Sequence, residues 1–477
     1  MKKKINLTEG SIFLNLIKLA LPIMATSFVQ MTYNMTDMLW LGRAGSNQVA
    51  AAGTAGFFVW LGFAFILISK IGAEVGVAQA TGRNDDLGAR DFARNSIQIN
   101  IFLAILYGTF IFIFRKQMID FFHIEDAEVV RMSVGYLTTV TYGILFMFIN
   151  PVFSGIYNGL GDSKTPFYVN TIGLVFNIIL DPILIFGFAG IPALGVQGAA
   201  IATVLSQLLV TLIFVLLIWG KRSPFSEFHL LVKPMRNVCS QIFKFGSPVA
   251  LQSGLFSIFA IIIGRIIAHW GPIPIAVQKV GSQIEAISWM TASGFSTALS
   301  SYVGQNYGAK KWDRIWKGYV AGISAVSVVG VLASLLLIFF AEPIFKLFIP
   351  EQEAIRQGAI YLRILGISQL FMCLEITTAG AFNGLGKTVP PSIVSIIFTG
   401  ARIPAAIILS SSALLGLSGV WWSISASSIF KGIILVIWFM IYLKKHPTII
   451  GPRIIGKTIF KWDLRYLRDK RGISGRA

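Results

Sequence analysis

The sequence predicts an all-α integral membrane protein, with twelve transmembrane helices in two six-helix lobes related by a parallel internal repeat. Three observations predict it. Of 477 residues, 55% are hydrophobic and only 13% are charged, about half the charge of a soluble domain. Apolar runs of the ~20 residues that a bilayer requires recur from end to end. One polar motif near the middle of the chain also returns, altered, in its second half.

The apolar runs fall at 14–40, 47–69, 95–114, 133–158, 167–189, 196–219, 243–268, 274–300, 318–341, 357–382, 390–411 and 417–443. They lack the two-residue alternation of barrel strands, so they read as helices. The first run is long and has no small-residue cleavage site, so it reads as a span and not as a cleaved leader.

The net charge of +19 is distributed like that of a membrane protein and not like that of a nucleic-acid binder. With the N-terminus inside, 27 of the 40 Lys and Arg fall in inner segments. That is the positive-inside pattern, with an even number of crossings and both termini cytoplasmic. The expected location is the cytoplasmic membrane, as a monomer in contact with lipid and without nucleic acid. The basic tail "GPRIIGKTIFKWDLRYLRDKRGISGRA" is expected to lie against anionic lipid at the inner surface.

The repeat organises the chain. "SGIYNGLGDSKTP" (154–166) returns as "AGAFNGLGKTVPP" (379–391), so Asn158-Gly159-Leu160-Gly161 matches Asn383-Gly384-Leu385-Gly386 at a shift of 225. At a shift of 226, Pro22 matches Pro248, Gln79 matches Gln305 and Gly82 matches Gly308. A shift spanning an even number of helices keeps each helix parallel to its copy. The domains read as an N-lobe at 1–220, an inner connecting loop at 221–240, a C-lobe at 241–445 and a cytoplasmic tail at 446–477. Parallel halves around a central cleft are the architecture of a transporter.

The charges break the repeat. Asp37, inside the first span, maps onto Ile263; Asn177 and Asp181 map onto Arg402 and Ala406. Packing demands are shared between copies, so an acid pair found in one half only calls for another reason. Asn177 and Asp181 lie one turn apart on one helix face, as do Tyr33 and Asp37, with Gln30 continuing that face. Pro22 is expected to bend the first helix and free backbone carbonyls. With Thr203 from the next span, Asp37, Asn177 and Asp181 offer hard oxygen ligands suited to Na+, and two adjacent carboxylates also suit a shared H+. The plain alternative is that each acid pairs with an embedded base, for which Lys18, Lys70, Arg265, Lys279, Arg363, Arg402 and Lys431 are the candidates. Intramembrane acids mark function by default. Glu285, Glu375 and Asn150 are read as candidate cavity residues, with a structural ion pair the equal alternative for the two acids.

Cys239 and Cys373 have no metal or redox spacing. HExxH, a full phosphate loop and a Ser-His pair within a span are all missing, and "GLGDSK" and "GLGKT" lack phosphate-loop spacing. An enzyme is therefore not expected, nor any cofactor beyond a coupling ion.

These residues resemble the multidrug and toxic compound extrusion (MATE) family of secondary transporters, in its prokaryotic form. The resemblance covers about residues 12–445. It rests on "LALPIMATSFVQMTYNMTDMLWLG", Gln79-x-x-Gly82, "YNGLGDSKTP", "NIILDP" and the repeated copies. It implies alternating access and export of organic, cationic drugs or toxic compounds in exchange for Na+ or H+. It also implies a cation site at Asp37, Asn177, Asp181 and Thr203, with Gln30 and Tyr33 lining the N-lobe cavity. The seventh helix, "SPVALQSGLFSIFAIIIGRIIAHWG", carries no acid, which departs from members with a C-lobe cation site there. The alternative is a lipid-linked oligosaccharide flippase of the same superfamily, which would need a strongly cationic cavity.

Overall fold

The computed structural model describes residues 6–188, 190, 192–219, 230, 232–411 and 413–445. The tail from 446 and most of the connecting loop lie outside the described residues.

Fourteen helices follow one another among the described residues. The N-terminal half holds α1 (Ile12–Ala44), α2 (Ser46–Gly82), α3 (Asp86–Asp120), α4 (Ala127–Gly159), α5 (Lys164–Phe186) and α6 (Val196–Trp219). The C-terminal half holds α7 (Arg236–Ala268), α8 (Pro272–Gly308), α9 (Trp312–Phe339), the short α10 (Ala341–Lys346), α11 (Gln352–Gly384), α12 (Val389–Gly400), α13 (Arg402–Leu409) and α14 (Leu417–Lys444). With α12 and α13 taken together, eleven of these are long and apolar enough to cross a membrane. The helix α8 is also long enough, but it carries Gln278, Lys279, Gln283 and Glu285. The chain is thus a multi-pass, all-α membrane protein.

Helix ends follow local chemistry. Asp85 caps α3 by accepting from Gly88 N at 2.8 Å, and Asp126 caps α4 by accepting from Glu128 N at 2.8 Å. The repeated Asn-Gly-Leu-Gly motif has two uses. Gly161 and Gly386 turn the chain at φ +84° and +72°, in left-handed territory that favours glycine. Gly159 and Gly384 let α4 and α11 pack on α2 and α8. A Cβ at either would come within 2.7 Å of Glu74 O or 2.4 Å of Ser300 O.

Several helices run past their apolar spans, α2 to Gly82 among them, and two differences bear on the lobes. The helix α7 begins at Arg236, inside the segment read as loop, because its polar first turn extends the helix beyond its apolar span. The span read at 390–411 is broken between α12 and α13. Pro404 has no N–H to return to Gly400, so the ladder is interrupted there. Pro22, by contrast, sits within an α1 that runs unbroken. Thr26 Oγ1 donates to the Pro22 carbonyl at 2.9 Å.

The two halves repeat their internal pairings. The pairs α1–α5, α2–α4, α4–α6 and α5–α6 recur as α7–α12, α8–α11, α11–α14 and α13–α14. Between the halves the packing crosses over, with α1 against α8 and α2 against α7. Gly246 of α7 approaches the Ile68 backbone of α2, and Gly294 of α8 approaches Met24 of α1.

The described inter-lobe side-chain hydrogen bonds gather at the end of the bundle where α1 starts. Gln79 Nε2 donates to Gly384 O and Gln305 Nε2 donates to Gly159 O, both at 2.9 Å. The segment before α1 is strapped to the C-terminal half. Asn306 Nδ2 donates to Leu7 O at 3.1 Å, and the Arg314 guanidinium donates to the carbonyls of Leu7, Glu9 and Gly10. Leu7 is fully buried.

Candidate functional site

Helices α1, α5 and α6 bring together the four residues of the predicted cation site. Asn177 and Asp181 project from α5 and are fully buried. Asn177 Nδ2 donates to Asp181 Oδ1 at 3.1 Å. From α6, Thr203 Oγ1 lies 3.4 Å from Asp37 Oδ2, a long hydrogen bond. The Asp37 and Asp181 carboxyls are neighbours, within reach of a shared hydrogen bond.

Three oxygens in this cluster are buried with no hydrogen-bond donor: Asp37 Oδ1, Asn177 Oδ1 and Asp181 Oδ2. Tyr33 Oη, one turn before Asp37, is also buried without a hydrogen bond. Among the described residues no salt bridge reaches either aspartate. Buried polar groups almost always have partners, and acceptors left open in a group have the chemistry to take a cation or a proton. Carboxylate and amide oxygens are the donors that Na+ takes, and one proton between two carboxyls satisfies both.

A small pocket adjoins the cluster, lined by Gln30, Tyr33, Asn170, Leu174, Gln207 and Val210 among others. Gln30 and Tyr33 both border this small pocket. Asn150 does not line it. Its Nδ2 donates to Gln207 Oε1 at 2.8 Å, and its Oδ1 accepts from Thr211 at 2.8 Å. Both capacities are used in tying α4 to α6, so Asn150 stands behind the pocket wall and braces Gln207.

The acids of the other lobe are in a different position. Lys431 Nζ sits 2.9 Å from Glu375 Oε2, with both side chains buried. Glu285 accepts from Tyr361 Oη at 2.5 Å and from Gln369 Nε2 at 3.2 Å. Arg402, at the α12–α13 break, donates to Ser427 Oγ at 2.5 Å and Ser428 Oγ at 3.1 Å, within electrostatic range of Glu285 and Glu375. Two acids meet two bases here. Of the two alternatives left open for Glu375, this geometry is the ion pair, because its carboxylate is already held by a fixed ammonium.

The repeat relates the two clusters residue by residue. Thr203 corresponds to Ser428, Ser206 to Lys431 and Asn177 to Arg402. Where the N-lobe has Asn177 and Ser206, the C-lobe has a guanidinium and an ammonium. The same offset carries Tyr136 onto Tyr361. Tyr361 binds Glu285, while Tyr136 of α4 lies within electrostatic range of Asp37 and Asp181. Neither tyrosine was singled out from sequence, although applying the shift of 225 across the polar positions of α4 and α11 would have found both. Gln207 and Gln369 were also missed. Single amides and hydroxyls in spans carry no signal until their partners are known.

Residues 22–183 and 248–408 match the MatE family model. The chain is 30% identical over 430 residues to the probable multidrug resistance protein NorM of Thermotoga maritima, covering 89% of this chain and 91% of that protein. It is 25% identical over 419 residues to the probable multidrug resistance protein YoeA of Bacillus subtilis, covering 87% and 90%. Among solved structures, a crystal structure of a MATE protein in complex with MaD3S superposes with a TM-score of 0.86 at 23% identity, over 93% of this chain and 99% of that one. An outward-facing multidrug resistance MATE transporter superposes with a TM-score of 0.84 at 23% identity, over 93% and 98%.

Proposed function

The chain belongs to the MatE family, and from that membership and its unpaired acids we propose that it exports organic, cationic drugs or toxic compounds in exchange for Na+ or H+. The observation that carries this reading is the cluster of open oxygens on Asp37, Asn177 and Asp181. Relatives named as multidrug resistance proteins support the export of drugs.

In this reading the N-lobe (1–220) and C-lobe (241–445) rock about a central cleft, joined by the segment at 221–240, which includes the first turn of α7. Both termini and the basic tail (446–477) lie in the cytoplasm. The transporter works as a monomer in the cytoplasmic membrane, with lipid and its organic substrates as its partners. Asp37, Asp181, Asn177 and Thr203 take up the coupling ion from outside. Gln30 and Tyr33 border the organic substrate. Pro22 lets α1 flex between states.

Ion and drug oppose each other through linkage. A cation between the carboxylates neutralises the field that attracts a cationic drug, and the drug leaves. The membrane potential adds about 2.3 kcal/mol per inward charge per 100 mV, a factor of roughly 50 in gradient. A one-for-one exchange of monovalent cations moves no net charge, so its drive is the ion gradient alone.

The flippase reading is weakened by the state of the C-lobe bases. Arg402 and Lys431 are held by serines and Glu375, so they do not offer free charge to a pyrophosphate.

The test is dye efflux from inverted vesicles under separately imposed Na+ and pH gradients. Efflux driven by one of the two is the expected result. Transport that ignores both gradients would overturn the exchange.

A further inference from the structure

The repeated Gln79-x-x-Gly82 and Gln305-x-x-Gly308 segments are not used by the ion site. Both lie in the last turn of their helices, α2 and α8, which cross at the end of the bundle where α1 starts. Gln79 donates to Gly384 O, the last residue of α11, and Gln305 donates to Gly159 O, the last residue of α4. Each glutamine belongs to one lobe and each acceptor to the other.

Both side chains are buried, at 9% and 2% exposure. Each caps a carbonyl that its helix leaves without an intrahelical partner. The glycines make the approach possible. A Cβ at Gly82 would lie 1.9 Å from Gln305 O, and one at Gly308 would lie 2.1 Å from Gln79 O. The two arms are related by the repeat, so they stand symmetrically about the axis between the lobes. A rotation that parts the lobes at this end stretches both arms together, which makes the contact all-or-none.

We propose that the reciprocal Gln79–Gly384 and Gln305–Gly159 bonds form the gate that shuts the inner face, and that their strength sets the balance between outward-open and inward-open protein. The inner face is the one that the basic loops assign to the cytoplasm. This inference rests on the alternating-access reading. On that reading each arm must break once per cycle, and the exposed glutamine amide and glycine carbonyl pass to water. A neutral buried hydrogen bond contributes about 1 kcal/mol net, so each arm changes the closed-to-open ratio about fivefold.

The experiment places spin labels at Leu87, in the first turn of α3, and Lys317, in the second turn of α9, exposed positions on opposite lobes, in a Cys239→Ser, Cys373→Ala background. Pulsed dipolar spectroscopy then compares the parent with Gln79→Met, Gln305→Met and the double variant. Methionine keeps the shape and removes the donor. The parent should give one short distance. Each single variant should add a longer population, and the double variant should favour it about 25-fold more than the parent. Unchanged distances in the double variant would overturn the gate; if that variant does not insert, unchanged distances in both single variants do the same. Efflux by the parent is measured in parallel. A parent that exports, with variants that do not open, rejects the gate alone. A parent that does not export under any gradient rejects the exchange reading instead.

Discussion

Asn177 donates to Asp181 one turn along α5, at 3.1 Å, and leaves its own Oδ1 buried without a donor. The amide therefore orients one carboxylate and leaves a further buried oxygen open. A residue kept only to link helices would be expected to use both ends, as Asn150 does with Gln207 and Thr211.

Replacing Asp37 with Asn keeps size and hydrogen bonding but removes the charge. The variant is expected to insert normally and to lose export, with Asp181→Asn behaving alike. Efflux assays alongside quantified membrane expression check this. Near-parental efflux by Asp37→Asn would make that aspartate a structural residue.

Ion and drug should compete in binding. Adding Na+, or lowering pH, is expected to release bound dye from the purified protein, and Asp37→Asn should abolish the release. Fluorescence titration of dye at fixed ion concentrations measures it. Additive binding, with no change in dye affinity, contradicts the linkage.

Glu375 and Lys431 should depend on each other for stability. Lys431→Met strands a buried carboxylate and is expected to cost about 3–5 kcal/mol, whereas Glu375→Gln combined with Lys431→Met should recover most of it. Thermal unfolding of the four proteins in detergent closes the cycle. Additive losses would show that the 2.9 Å contact contributes nothing.

Glycine at 308 is required by the approach of Gln79 O. Gly308→Ala should push α2 and α8 apart and raise labelling of the neighbouring backbone by deuterium at residues 79–84 and 305–309. Equal exchange in the variant and the parent would mean that the two helix ends absorb a methyl without separating.

The tail is expected to add surface attraction only, about 1 kcal/mol per basic residue near anionic lipid. Truncation after residue 447 should leave efflux largely intact. Loss of transport by a well-inserted truncated protein would assign the tail a larger part.

The sequence by itself determined the membrane class, the two parallel halves and the acids of the N-lobe. Hydropathy and internal repetition are properties of the chain read in order, and a charge present in only one copy stands out against its counterpart. The positions of Asp37, Asn177, Asp181 and Thr203 were legible because two of them share a helix turn and all four fall in spans. What the tertiary structure decided was pairing. Glu375 and Lys431 are far apart in sequence and in contact across α11 and α14. Tyr136 comes to the acid pair from α4, and Gln79 reaches Gly384 from the opposite lobe. Whether a buried charge or amide is satisfied depends on which helices pack side by side and how each is rotated about its axis. That rotation is set by side-chain fit across the whole bundle, and no local stretch of sequence carries it.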